Sequence, residues 1–151
     1  MNIFNHIIAN RLKSRMLDIE HVSVNPIKYQ NAILKKCLQT ARETEWGKRY
    51  DFTTIASLLD FKNRVPLQDY NSLETDIYRL RQGEKNILWP SSTKWFAKSS
   101  GTSENKSKYI PVSKESLMDG HYKSGKDMLS IYCNQVNSTS VFGGKTMTMG
   151  G

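Results

Sequence analysis

The segment WFAKSSGTSENKSKYIPV, residues 95–112, places a run of small residues between two stretches with strand composition. Trp95 to Ala97 and Lys108 to Val112 are rich in aromatic and β-branched residues, which favour strands. The intervening residues are mostly Ser, Gly, Thr and Asn, which turns prefer. The sequence therefore predicts two strands that form a hairpin around a small-residue loop.

The run from Ser99 to Ser103 also has the composition of a phosphate-binding loop. Gly lets the backbone approach a ligand and adopt positive φ, and successive N–H groups in such a turn form an anion-binding nest. Hydroxyls add donors, and a nearby lysine adds charge. On the pattern alone, a solvated hairpin turn is the favoured interpretation, because turns prefer the same residues. The phosphate interpretation assigns the site to Ser99, Ser100, Gly101, Thr102, Ser103 and Lys108.

Residues 1–90 carry helical spacing, caps and breakers, so they are predicted to be mostly helical. The predicted helices span residues 3–16, with an apolar face that docks on the protein itself; residues 25–46, begun by Asn25-Pro26 and stopped by Gly47; residues 54–65, capped by Thr54 and stopped by Pro66; and residues 71–82, capped by Asn71 with Glu74 and stopped by Gly83.

Residues 91–151 are predicted to form a strand, the phosphate loop, a second strand and a long helix that Ser113 caps. Val141 to Gly151 is predicted to begin another strand, and the chain stops inside that pattern, as expected of a sheet that continues elsewhere. The GGKT stretch there resembles the end of a Walker A motif, but Thr139 stands where the leading Gly is required. The predicted fold class is α/β, incomplete.

Charge and composition narrow the function classes. The net charge of +8 favours anionic partners, although the basic residues are spread along the chain. Cys37 and Cys133 lie far apart and the three histidines are scattered, so no metal site or disulfide framework is predicted. Reduced thiols fit the cytoplasm. No stretch has the roughly 18 apolar residues of a membrane span.

The segment SSGTSENKSKYIP resembles the first nucleotide-binding motif of the auxin-responsive promoter family of acyl-acid-amido synthetases, which belong to the adenylate-forming superfamily. That motif runs roughly S-S-G-T-[ST]-x-G-x-x-K-x-I-P, and Asn105 occupies the position of its second Gly. The stretches 44–52 and 61–90 follow the family's order and spacing, so the resemblance covers nearly the entire chain. The matching positions are Ser99, Ser100, Gly101, Thr102, Ser103, Lys108, Ile110 and Pro111.

The resemblance implies that residues 1–151 are the N-terminal part of a large adenylation domain, without the small C-terminal domain. It implies ATP and Mg²⁺ as cofactors, and a carboxylic acid and an amine or amino acid as partners, with no nucleic acid and no membrane. The loop would hold phosphate and contribute no nucleophile, because no base lies beside Ser99 or Ser103. The family's adenine-binding motifs and acidic metal ligand are absent, so we expect the isolated chain to be inactive.

Two other functions stay open at this point. An acyl-CoA synthetase-like enzyme would use the same adenylation with a thiol acceptor. A small basic nucleic-acid-binding module would require a Lys/Arg face interleaved with aromatics, and no such stripe is visible. Met118, Tyr122 and Met128 could line an acyl pocket by residue type only, and ordinary core packing is the favoured interpretation of each.

Overall fold

The computed structural model describes residues 3–99, 107–136, 141–145 and 147. The chain divides into two compact units, one formed by Met1–Asn25 with Met118–Gly151 and the other by Pro26–Leu117. Helices dominate both units, and the described residues contain one two-stranded antiparallel sheet. No helix in the described part of the chain is long and apolar enough to span a membrane.

The first unit is helical. Helix α1, Ile3–Lys13, packs against α7, Lys123–Gln135, and α2, Met16–Val24, also contacts α7. The buried positions on these helices are small or polar, which lets their backbones approach closely. Arg15 between α1 and α2 forms an ion pair with Asp127 of α7. Among the described residues of the unit, the buried ones are Asn5, Ala9, Ser130 and Cys133.

Two predictions for this unit are wrong. The predicted helix 3–16 is broken after Lys13, where the Ser14 hydroxyl donates to the Arg11 carbonyl at 2.7 Å. Its apolar face is only partly covered, because Ile3 and Ile7 are exposed. Val141–Gly143 forms a 3₁₀ turn in place of the predicted strand. The rest of that predicted strand lies largely outside the described residues.

The second unit contains helices α3, α4, α5 and α6, a 3₁₀ turn at Phe52–Thr54, and strands β1 and β2. Its core is formed by Trp46, Leu80 and Ile87, with partly buried side chains packed around them. The α-helices are Pro26–Ala41, Glu45–Arg49, Leu58–Arg64 and Tyr70–Arg81, and the strands are Trp95–Lys98 and Tyr109–Val112.

The predicted helix 25–46 is interrupted, because α3 ends at Ala41 and α4 starts at Glu45. The Thr44 hydroxyl accepts from the Gly47 N–H at 3.0 Å and caps α4. The N–H groups of Glu45 and Trp46 donate to the carbonyls of residues 86 and 87, at 2.8 and 3.1 Å. Gly47 therefore lies inside α4 and does not terminate a helix, which corrects the prediction.

The starts of α5 and α6 are set by capping boxes at other residues than predicted. Ser57, and not Thr54, caps α5 and pairs with Asp60. Asp69, and not Asn71, caps α6 and pairs with Ser72. The end of α6 is as predicted, since Gly83 follows it at φ +89°.

These capping carboxylates make the stability of the fold depend on pH. The Ser57 hydroxyl lowers the pKa of Asp60, and the Ser72 backbone N–H lowers that of Asp69, from an ordinary value of 3.8. A carboxylate with a lowered folded-state pKa stabilises the fold above its unfolded pKa and stops doing so as pH falls through the folded pKa. We expect the urea midpoint to fall as the pH drops below about 4. Asp69→Asn keeps a capping side chain but cannot titrate. Its urea unfolding midpoint should therefore fall less steeply with decreasing pH than that of the parent chain. Equal slopes for the two proteins would contradict this account.

The hairpin has the predicted order and antiparallel pairing. Trp95 pairs with Val112, and Lys98 pairs with Tyr109 next to the loop. β2 is followed by Ser113, whose hydroxyl accepts from the Ser116 N–H at 3.0 Å, so the predicted cap is confirmed. The chain continues through a π-helical stretch, Ser116–Tyr122, into α7, and the sequence did not predict the π-helical geometry.

Candidate functional site

Two of the predicted phosphate-loop residues, Ser99 and Lys108, are described by the structure. Ser99 directly follows β1 and Lys108 directly precedes β2. Ser100, Gly101, Thr102 and Ser103 lie outside the described residues. The structure therefore gives the two ends of the loop, and the assignment of its middle rests on the sequence.

The two ends of the loop are hydrogen-bonded to each other. The Ser99 N–H donates to the Lys108 carbonyl at 2.9 Å, and the Lys108 N–H donates to Ser99 Oγ at 3.1 Å. The second bond replaces the carbonyl acceptor of a regular ladder by a side-chain hydroxyl. A serine hydroxyl that accepts one bond still has its own proton to donate. Ser99 thus closes the base of the loop and keeps a donor.

Helix α6 presents one face to this end of the hairpin, and a cleft of about 590 Å³ lies there. The facing residues recur at helical spacing, from Tyr70 at the first position to Arg81 at the last. The Arg81 guanidinium lies 3.8 Å from the centre of the Tyr109 ring, within cation–π distance. The residues that line the cleft are Tyr70, Asn71, Glu74, Ile77, Tyr78, Arg81, Lys98, Ser107, Lys108 and Tyr109.

The charge of the cleft is mostly positive. Lys98, Lys108 and Arg81 are its cations, and Glu74 is its carboxylate. A concave surface with one dominant sign of charge attracts counter-ions and raises their local concentration. The cleft adjoins both ends of the loop, so the surroundings of Ser99 and Lys108 favour an anion.

The other faces of α6 are fixed by polar contacts. Asp76 is buried and accepts a hydrogen bond from the Trp46 indole N–H at 2.7 Å. Arg79 donates to both carboxylate oxygens of Glu45, at 2.8 and 2.6 Å, and also binds Glu84. The bonds from Arg79 lower the pKa of Glu45 below its ordinary value. These contacts hold α6 against α4 and against the segment that follows α6, to which Glu84 belongs.

Sequence analysis missed the contributions of Tyr70, Arg81 and Tyr109. The helix was predicted from its apolar positions Leu73, Ile77 and Leu80. Polar and aromatic residues share part of the same helical face. The positions 70, 74, 77, 78 and 81 recur at one helical stripe, and this spacing was available from the sequence. What the sequence did not indicate is that β2 packs on that stripe.

The residues considered for an acyl pocket, Met118, Tyr122 and Met128, are all exposed, by 52%, 52% and 65%. The expectation that they pack in a core is therefore wrong for this chain. Within the described residues there is also no group of three or more His, Cys, Asp or Glu side chains that could hold a metal ion.

A comparison with known protein families identifies the family of the chain. Residues 15–150 match the GH3 family N-terminal domain, and the chain belongs to this family. The resemblance seen in the loop motif is thereby confirmed.

Curated relatives agree with this assignment. The chain is 34% identical over 100 residues to the indole-3-acetic acid-amido synthetase GH3.4 of Arabidopsis thaliana, which covers 66% of this chain and 17% of that protein. It is 28% identical over 118 residues to the indole-3-acetic acid-amido synthetase GH3.5 of the same plant, and this match covers 78% of this chain and 19% of that protein. It is 30% identical over 89 residues to the jasmonoyl–L-amino acid synthetase JAR4 of Nicotiana attenuata, and this match covers 58% of this chain and 15% of that protein. The matches thus span less than a fifth of each relative's length.

Proposed function

We propose that this chain is the N-terminal part of the adenylation domain of an ATP-dependent acyl-acid-amido synthetase. The observation that carries the proposal is the family motif at 99–111. Within it, Ser99 and Lys108 are hydrogen-bonded to each other across the base of the hairpin, beside a basic cleft. Relatives named as amido synthetases support the reaction class. The free thiols of Cys37 and Cys133 fit a reducing, cytoplasmic environment.

The proposed reaction has two steps. A carboxylate of the acid attacks the α-phosphate of ATP, which forms an acyl-adenylate and releases pyrophosphate. An amine then attacks the activated carbonyl, which forms an amide and releases AMP. Negative charge shifts onto the leaving pyrophosphate in the first step, so fixed donors around it lower the barrier.

The residues of this chain bind and orient the nucleotide in this scheme. The backbone and hydroxyls of Ser99 to Ser103 donate to the β- and γ-phosphates, and Lys108 adds positive charge. No acidic cluster for a metal is present among the described residues. Mg²⁺ would neutralise phosphate charge when bound.

The proposal predicts the effect of removing the lysine charge. In the whole protein, Lys108→Met is expected to weaken binding of Mg-ATP by about 1.5–3 kcal/mol, the usual range for a hydrogen bond to a charged group. Isothermal titration calorimetry measures the affinity. Lys94→Met is the matched control, because Lys94 precedes β1 and lies outside the cleft beside the loop.

Two results would contradict the proposed role of the loop. One is equal affinity of the Lys108→Met variant and the parent protein for Mg-ATP. The other is tight, strongly salt-dependent binding of a random DNA duplex with no binding of Mg-ATP, which is the behaviour of a nucleic-acid-binding module.

A further inference from the structure

We infer that Tyr70 is the positioning residue of the phosphate loop: it fixes the loop's trailing end to α6 and holds Lys108 at the site. This inference rests on the proposed function, because it concerns how the loop meets a nucleotide. Tyr70 is the first residue of α6, and it contacts Lys108 and Tyr109 at the C-terminal end of the loop.

The first contact gives a hydrogen-bond acceptor to a backbone N–H at the edge of β2. In an antiparallel ladder, residues alternately direct their N–H groups toward and away from the partner strand. Lys108 bonds across to Ser99, so the next N–H, that of Tyr109, is directed away from β1. It donates to the Tyr70 hydroxyl at 3.1 Å in a partly buried position. The hydroxyl of Tyr70 thus takes the place of a neighbouring strand at the end of the loop.

The second contact uses the ring of the same side chain. The Lys108 ammonium lies 5.4 Å from the centre of the Tyr70 ring, within the range of a cation–π interaction. Among the described residues, no carboxylate forms an ion pair with Lys108. An aromatic face restrains an ammonium without neutralising it, so the charge of Lys108 stays available to a phosphate.

Tyr70 is itself held on a rigid base. Its position is set by the capping box of Asp69 and Ser72 at the start of α6. Farther along, Asp76 and Arg79 bind residues of α4 on the other side of the helix. A side chain fixed in this way restrains the loop before the ligand arrives. Less conformational freedom is then lost when the ligand binds, and affinity rises.

The test separates the two contacts with substitutions at one position. Tyr70→Phe removes the hydroxyl and keeps the ring, whereas Tyr70→Leu removes both. Tyr29→Phe is the matched control, because Tyr29 belongs to α3 in the same unit, lies outside the cleft, and its hydroxyl has no hydrogen-bond partner among the described residues. Amide hydrogen exchange at Tyr109 and calorimetric affinity for Mg-ATP are measured on the whole protein of which this chain is proposed to be a part.

We expect Tyr70→Phe to speed exchange of the Tyr109 amide and to weaken Mg-ATP binding about 2–10-fold, as befits one neutral hydrogen bond. Tyr70→Leu should weaken it about 2–5-fold more, because the lysine loses its aromatic contact. In a Lys108→Met background the Phe and Leu variants should bind Mg-ATP equally, since no ammonium remains to hold. A merely structural role of Tyr70 would not remove that difference.

Other outcomes overturn the inference. If Tyr109 exchange accelerates in Tyr70→Phe while Mg-ATP affinity equals that of the parent and of Tyr29→Phe, Tyr70 holds the strand but does not position the loop, and the proposed function stands. If the whole parent protein binds no Mg-ATP, the proposed function fails and the positioning role fails with it. In that case the exchange data still show whether the hydroxyl contact exists.

Discussion

Gly47→Ala is expected to destabilise the unit Pro26–Leu117 by about 3 kcal/mol, the upper end of the usual range for overpacked positions. A Cβ at residue 47 would lie 2.1 Å from the Ala41 carbonyl oxygen and 2.6 Å from that of Arg42. Both atoms belong to the main chain, so no side chain can rotate to relieve the clash. The turn between α3 and α4 must move, and the bonds from α4 to residues 86 and 87 would be disturbed with it.

Urea unfolding followed by tryptophan fluorescence measures this effect, because Trp46, Trp89 and Trp95 all belong to the same unit. Gly83→Ala is the matched control in that unit. It meets nothing within 4 Å but has φ +89°, so it should cost only about 1–2 kcal/mol of backbone strain. If Gly47→Ala is no more destabilising than Gly83→Ala, the close approach of the backbone at residue 47 is not what the structure indicates.

Gly101→Val is expected to reduce ATP–pyrophosphate exchange, measured on the whole protein with its cognate acid, by about 100-fold or more. The branched side chain would stand where the backbone must approach phosphate, and valine disfavours positive φ. Loss of preorganised donors at a site of developing charge typically has an effect of this size. Because the position lies in a loop of small polar residues, we expect the thermal melting curve to be unchanged.

A second glycine loop provides the control for this experiment. Gly144 belongs to the GGKT stretch that resembles a Walker A ending, and a Cβ there would meet no atom of the described residues within 4 Å. Gly144→Val should leave the exchange rate unaltered. If Gly101→Val exchanges pyrophosphate at the parent rate, residues 99–103 form only a turn and the phosphate assignment is wrong.

Local signals in the sequence were sufficient for the hairpin and for several helix ends. Strand composition on both sides of the small-residue run predicted β1 and β2 to within one residue. Pro26 at the first position of α3, Gly83 after α6 and Ser113 before the next helix act through their own backbone or side-chain geometry. Such features need no distant partner, so sequence reasoning can find them.

The choice among competing caps was harder to predict. Thr54 and Ser57 are both suitable caps, as are Asp69 and Asn71, and each pair lies within a few residues. In the structure Thr54 closes a 3₁₀ turn and receives a hydrogen bond from Arg64, which leaves Ser57 to cap α5. The deciding contact comes from a residue ten positions away, which a local pattern does not reveal.

The sequence by itself determined the helical character of the first 90 residues, the hairpin and the family, and it is the basis for proposing that the loop residues bind phosphate. Tertiary structure decided where α3 stops, because the N–H groups of Glu45 and Trp46 bond to residues 86 and 87 and draw the chain into a new helix. It also decided that Tyr70 meets Tyr109 and Lys108. Helical and strand periodicities report which side of an element is buried, but the partner on that side is fixed only when the chain packs.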